Sequence, residues 1–282
     1  MARRQPCSIR CEMAERDDTY THGHHSSVLK SHQWRTAANS AGFLLEHLRP
    51  GMRLLDVGCG PGTITAELAA LVAPGEVLGI DRAPEIIATA TASLPPGTPS
   101  PRFAVDDVYD LALDDASFDV VYAHQVLQHL SDPVAALREM RRVLVPGGLV
   151  AVRDSDYRSF LWSPADPVLD RWNDIYHEVT RRNDAEADAG RYLYRWVADA
   201  GFVDLRVTSS TWTFHAPDDR AWWGGLWSER IQHSALADQL LDEELATPDD
   251  LAEIAAAFDA WATAEDGLFL LVHGEVLATR PD

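Results

Sequence analysis

The segment Leu54-Leu55-Asp56-Val57-Gly58-Cys59-Gly60-Pro61-Gly62 restricts the fold of this chain more than any other. An apolar run of this kind reads as a strand buried on both faces. The glycines that follow let the backbone reverse sharply and let a ligand come close to the main chain. The amphipathic run beyond them reads as a helix. A strand, a glycine turn and a helix open a βαβ unit, so the surrounding structure must be an α/β sheet with right-handed crossovers.

The same rhythm continues downstream. Apolar runs at residues 53–57, 76–80, 102–105, 118–123 and 149–153 predict strands, and amphipathic runs at 62–71, 84–94 and 133–143 predict helices, with a proline-rich loop at 95–101. After residue 154 the alternation loosens. Helices are expected over 166–183 and 190–200, the second stopped by Gly201, followed by a β-like stretch at 203–214, a helical acidic region at 217–263 and a final strand at 268–279. Upstream, Val28, Leu29, Trp34, Ala37, Ala38, Ala41, Leu44, Leu45 and Leu48 recur near the helical period, which predicts helix across 19–48 until Pro50–Gly51. The 282 residues are 46% apolar, enough for one large core. The expected organisation is therefore a flexible arm at 1–18 and one domain at 19–282. That domain divides into N-terminal helices at 19–48, a ligand-binding core at 50–155, and helical cap elements at 156–200 and 217–265.

Charge narrows the partners. With 44 acidic against 24 basic side chains the net charge is −20, which repels nucleic-acid phosphates and anionic lipid. The basic cluster Arg138–Arg142 reads as the solvated face of a helix. No apolar run is long enough to span a bilayer, and the first residues lack the apolar stretch of a secretory signal, so a cytoplasmic protein acting on a small molecule is expected. Cys7, Cys11 and Cys59 cannot build a disulfide framework. No Cys/His pair beside Cys7 and Cys11 completes a zinc site, so no metal is expected.

The glycine spacing discriminates between cofactors. A dinucleotide loop would be G-x-G-x-x-G, which would put the third small residue at Thr63, and a pyrophosphate there would meet the carboxylate of Asp56 at the strand end. A nicotinamide oxidoreductase is disfavoured on both counts. A sulfonium amino-acid cofactor brings cationic groups that Asp56 would attract. Asp81 closes the run Val77-Leu78-Gly79-Ile80-Asp81, about 20 residues past Gly60, where an acid grips ribose hydroxyls.

These stretches, together with VDDVYDL, FDVVYAHQVLQHL and LVPGGLVAV, resemble the motif series of class I S-adenosylmethionine-dependent methyltransferases across about residues 50–155, nearest the group that includes the ubiquinone/menaquinone-biosynthesis enzymes. The resemblance implies a Rossmann-like, doubly wound, mostly parallel seven-stranded sheet of order 3-2-1-4-5-7-6 with strand 7 antiparallel, an N-terminal helical lid and a helical insertion before the last strand. It implies that Gly58, Gly60 and Gly62 line the methionine and ribose of S-adenosylmethionine, that Asp81 holds the ribose with Arg82 beside it, and that Asp107 and the Val108 amide take the adenine, with Asp106 a close rival. His124 and Gln125 would face the cofactor and the acceptor entrance. The segment from Tyr20 through His22, His24 and His25 to Trp34, Arg35 and Thr36 resembles the lid helix of small-molecule members, thiol methyltransferases among them, and adds Tyr20 and Arg35 to the cofactor contacts.

Methyl transfer from a sulfonium needs mainly orientation and proximity, and a base only where the nucleophile keeps its proton. His24, His25 and His124 are the candidate bases by position, each with a surface or capping role as the alternative, whereas His129 is expected to end the helix of VLQHL. Trp34, Trp162, Trp222 and Trp223, with Trp227 near them, lie outside the core sheet. They are candidates for an aromatic wall around a planar or apolar acceptor, against ordinary packing in a cap. The expected reaction is methylation of an O, N or S atom. The alternatives are a quinone-type C-methyltransferase and a cofactor-binding protein without catalysis.

Overall fold

The computed structural model describes residues 18–21, 23, 26–94 and 101–282. His24 and His25, and with them Cys7 and Cys11, lie outside the described residues. In place of one helix across 19–48, the chain forms α1 (Ser26–Gln33), α2 (Ala37–Ser40) and α3 (Gly42–Leu45). The interruption has a local cause. Thr36 is extended, its side chain caps Asn39 N–H, and the Asn39 side chain returns the bond to Thr36 N–H. This reciprocal cap restarts the helix two residues after Trp34.

The sheet is built outward from β1 (Leu54–Val57), every residue of which is buried. After α4 (Thr63–Val72) comes β2 (Val77–Asp81), and after α5 (Pro84–Ser93) come β3 (Arg102–Val105) and β4 (Phe118–His124). β1 pairs in parallel with β2 and β4, and β3 flanks β2. Next in the chain are α6 (Pro133–Val143), β5 (Leu144–Ser155), β6 (Leu161–Ser163), α7 (Pro167–Arg182), α8 (Ala189–Asp199) and β7 (Val203–Phe214). The last elements are α9 (Pro217–His233), α10 (Ala235–Asp242), α11 (Pro248–Thr263) and β8 (Leu268–Thr279). Helix starts follow one pattern: Asp132, Asp166 and Thr247 cap the backbone just ahead of Pro133, Pro167 and Pro248.

β8 runs antiparallel to β5 on one edge and to β7 on the other, so β3-β2-β1-β4-β5-β8-β7 reproduces the expected seven-strand order. An eighth strand is added to it. β8 extends past the end of β5, and after a short turn the chain returns to that edge, where Leu161–Ser163 pairs with Leu268–Leu270. α9 to α11 form the insertion between β7 and β8.

Alternation along β1 and β4 divides the core. Leu54, Val120 and Tyr122 face Leu44, Leu68 and Val72, while Leu55, Val57, Val121 and Ala123 face Leu137, Met140, Leu193 and Val197. A third cluster lies in the cap, centred on Trp172, Tyr176, Trp227, Phe258 and Phe269. The carboxyl ends of the parallel strands open beneath this cap, where ligands bind in sheets of this type.

Candidate active site

The glycine loop lies at the C-terminal end of β1. Gly58 has φ +67°, and a Cβ there would come within 2.4 Å of Val126 Cγ2, so no larger residue fits without moving the chain. Gly60 N–H donates to Asp81 Oδ2 at 3.2 Å and Ala83 N–H to Oδ1 at 3.1 Å, which fixes the Asp81 carboxylate against the loop. Gly62 is the third glycine of the loop. It precedes α4 at φ +82°, where a Cβ would press within 2.5 Å of the Phe103 ring, and it does not line the cavity. Asp56 is buried and accepts a 2.6 Å bond from Thr65 Oγ1. Burial pushes its pKa up to about 7, the Thr65 bond opposes this, and the charge of Asp81 adds to the rise.

A cavity of about 420 Å³ opens from this loop. At one end it is lined by Asp81, Arg82, Asp106, Asp107, Val108 and Tyr109. Asp106 uses both oxygens on the backbone of its own loop, at Asp107 and Ala112 N–H, whereas Asp107 commits Oδ1 to Tyr109 N–H at 2.9 Å. Asp18 closes this end. Its carboxylate accepts from Tyr109 Oη at 2.7 Å and Ser131 N–H at 3.1 Å, and its carbonyl accepts from Arg82 Nη1 at 2.6 Å. Tyr20 follows, its hydroxyl 3.3 Å from His32 Nε2 and its ring edge-on to His129 at 4.8 Å.

The other end is basic and aromatic. Gln125, at φ +53°, accepts from Arg35 Nη2 at 2.5 Å, donates to Ser155 Oγ at 2.8 Å and lies 3.0 Å from His273 Nε2. Arg35 sits over Trp212 at 5.6 Å, and burial lowers its pKa to about 10, which leaves it charged at neutral pH. Trp34 meets Trp212 edge-on at 5.2 Å and Trp222 at 5.3 Å, and Trp223 stacks on Phe214 at 4.7 Å. Trp227, Tyr157 and Arg230 complete the wall.

His124 lines the cavity beneath Trp212, and its Nε2 has no hydrogen-bond partner among the described residues. Burial, then the charges of Arg153 and Arg35 and the neighbouring His273, hold its pKa well below the usual histidine value. His129 ends a 3₁₀ turn rather than an α-helix, also lines the cavity, and is pushed down to about 3. Both are neutral imidazoles and weak proton acceptors.

The structure thus brings Tyr20, Arg35, Asp56, Gly58, Gly60, Asp81, Arg82, Asp107, Val108, His124, Gln125, Trp34, Trp222 and Trp223 to one cavity. Trp162, like Gly62, is not among them. As part of the added β6 it is carried over Phe269, at 5.6 Å, and against Trp172, at 6.1 Å, so it packs in the cap core instead of lining the cavity. Sequence reasoning missed Trp212, Tyr157 and Arg230. The period-two pattern at the end of β7, with Trp212 and Phe214 buried between exposed Thr211 and Thr213, marks Trp212 as inward-facing. Arg230 has no local signal.

The residues present fit a nucleoside carrying a charged amino acid. The loop has a cradle that a side chain at Gly58 would fill, and the same cavity is lined by the acids Asp56 and Asp81 and by Arg35. Comparison with known proteins agrees. Residues 55–152 match the family model described as a methyltransferase domain. The chain is 32% identical to an uncharacterized methyltransferase of Schizosaccharomyces pombe over 93% of its own length and 97% of that protein's, and 30% identical to a protein of Aspergillus luteorubrus named as a probable methyltransferase over 93% and 98%. Phosphoethanolamine N-methyltransferase 2 of Haemonchus contortus, solved with S-adenosyl-L-methionine, shares the fold at a TM-score of 0.53 and 18% identity, over 83% of this chain and 50% of that one. The chain belongs to the class I S-adenosylmethionine-dependent methyltransferases, and S-adenosylmethionine is its methyl donor.

Proposed function

We propose that this enzyme methylates an O, N or S atom of a small, planar or apolar metabolite. The observation that carries the reading is continuity: the cavity that begins at the glycine loop runs without a break to the tryptophan wall. Its volume, about 420 Å³, has to hold donor and acceptor together, which favours a small acceptor.

In this reading Gly58 and Gly60 let the donor approach the main chain, and Asp81 accepts from the ribose hydroxyls. Asp107 and the Val108 amide meet the adenine, with Tyr109, Arg82 and Asp18 closing over it. Asp56 faces the ammonium side, where a nearby cation would favour its ionised form. Arg35, steadied by Gln125, faces the carboxylate. Tyr20, His32 and Trp34 belong to a segment that lies over the cavity and excludes water from it. The bound donor supplies an activated methyl group, so the protein's task is alignment. Trp34, Trp212, Trp222 and Trp223 offer flat faces on which a planar acceptor can be held in line. A quinol-type C-methylation needs a strong acceptor for a ring proton, and the neutral, weakly basic His124 and His129 do not favour it.

The test is incubation of the enzyme with isotopically labelled S-adenosylmethionine and a fractionated small-molecule extract, read by mass spectrometry. Label transferred to an O, N or S atom of a planar metabolite is the expected result. Donor binding without transfer to any fraction overturns the reading and leaves a cofactor-binding protein.

A further inference from the structure

The cavity holds more buried positive charge than the donor can answer. Arg230, on α9, is 4% exposed and lines the same cavity. Its Nη2 donates to Ser27 O at 3.2 Å and Ser31 Oγ at 3.1 Å, its guanidinium lies over Trp227 at 4.7 Å, and its Nε has no partner among the described residues. Among the described residues no carboxylate pairs with it there. The adjacent Glu229 instead reaches Lys30 at 3.5 Å on the surface. The groups that act on Arg230 are the phenols Tyr157, Tyr20 and Tyr176, which burial keeps protonated and neutral, and after them the surface carboxylate of Glu229, while Arg230 in turn acts on Arg35. Arg153 shows the contrast, being equally buried but paired with Glu275 at 3.2 Å.

An unpaired buried charge is costly unless a ligand completes it. The donor carries one carboxylate, which the reading above assigns to Arg35 beside Gln125. Arg230 is left over, among aromatic rings and far along the chain from the acidic loop. We propose that the acceptor is an aromatic acid whose carboxylate is bound by Arg230 while its ring lies against Trp222 and Trp223. This rests on the methyltransferase function proposed above and narrows its substrate class. The planar guanidinium matches a carboxylate, and its buried Nε has no partner among the described residues. An acceptor oriented through such a handle presents its reacting atom to the donor without help from a histidine.

The test measures binding of three probes of matched shape, 2-naphthoate, 2-naphthamide and 2-naphthylmethylamine, to the enzyme saturated with S-adenosylhomocysteine. Naphthoate is expected to bind about tenfold to a hundredfold more tightly than the amide, and the amine more weakly still. Arg230→Gln should bring acid and amide to near equality while leaving S-adenosylhomocysteine affinity unchanged, and Arg230→Lys should retain part of the preference. Arg35→Gln should instead weaken S-adenosylhomocysteine. Equal or undetectable binding of the three probes to wild type overturns the proposal, as does an acid preference that survives in Arg230→Gln. Loss of S-adenosylhomocysteine affinity in a folded Arg230→Gln would move Arg230 to the donor and also overturn it. Should Arg230→Gln fail to fold, the wild-type ranking and Arg230→Lys decide. Failure of wild type to bind S-adenosylhomocysteine at all would sink the function itself, a distinguishable result.

Discussion

Asp81 accepts two backbone hydrogen bonds, from Gly60 and Ala83, so its carboxylate is fixed on the loop before any ligand arrives. That anchoring orients the carboxylate in advance, which is how a preorganised acceptor gains affinity. Asp81→Ala is expected to weaken S-adenosylmethionine by about 1.5–3 kcal/mol, the range for hydrogen bonds to a charged group. A calorimetric isotherm reads this directly, and a change below about twofold would return Asp81 to a purely loop-shaping role. Gly58→Val should eliminate measurable donor binding, because the new side chain would collide with Val126. Unaltered affinity in a folded variant would refute that. These positions were legible in the sequence because strand, loop and acid lie within one βαβ unit and spacing alone relates them. Gly62 shows the limit of spacing: it sits in register with Gly58 and Gly60, yet its conformation serves the turn into α4 and contact with Phe103. Arg230 was illegible for the opposite reason. Its partners, Ser27 and Ser31, lie some 200 positions away, and no periodicity connects them.

The N-terminal segment is where local pattern misled most. Apolar residues recur at helical spacing straight through Thr36, so the period predicted one helix, while the cap formed by Thr36 and Asn39 breaks it. The break is what leaves Trp34 and Arg35 at the cavity, outside any helix. The segment is tied down at several points: Thr21 to Asn183 at 3.0 Å, Ser27 and Ser31 to Arg230, Lys30 to Glu229, and Thr63 to the His32 carbonyl at 3.3 Å. Most of these are single or exposed bonds, and such elements open at low free-energy cost. Hydrogen exchange of residues 26–36 is therefore expected to slow when S-adenosylhomocysteine binds, with smaller change in α6 and α8. Equal rates with and without ligand would make the segment scaffold and not lid. The helices of the core were read nearly to the residue because a glycine turn marks the start of α4, a proline that of α5, and a proline with a capping aspartate that of α6. The eighth strand, β6, was missed because only three residues pair and nothing in Leu161–Ser163 distinguishes a strand from a turn.

At the scale of the molecule, buried ionisable groups set how stability responds to pH. Asp154 has no exposed surface, its Oδ1 accepts from Gln128 N–H at 3.1 Å, and burial pushes its pKa up to about 8. In the unfolded chain it returns to about 4. Between those values the native state holds a proton that the unfolded state lacks, so stability falls as pH rises, by up to about 1.4 kcal/mol per pH unit for one group. Asp56 acts in the same direction up to about pH 7. Buried His124, His129 and His273 act oppositely, but their contribution is complete once pH passes about 6.5, the unfolded value. Melting of the ligand-free protein should thus shift to lower temperature from pH 7 to 8, and Asp154→Asn should flatten that slope. An unchanged slope would place the titration elsewhere. The position of β8 in the chain carries a last consequence, for synthesis. β8 supplies the hydrogen-bonding partner of β5 and of β7 at once, and Phe269 on it is the floor of the cap cluster, yet every cap helix precedes it. A nascent chain must leave the ribosome through α11 with two open sheet edges and an unfloored aromatic cluster, and exposed edges of this kind recruit other chains. A polypeptide stopped after Gly267 should accumulate as aggregate and bind holdase chaperones, and supplying residues 268–279 in trans as a peptide during translation should raise the soluble fraction; a soluble monomer from the truncated chain alone would show that the sheet closes without β8.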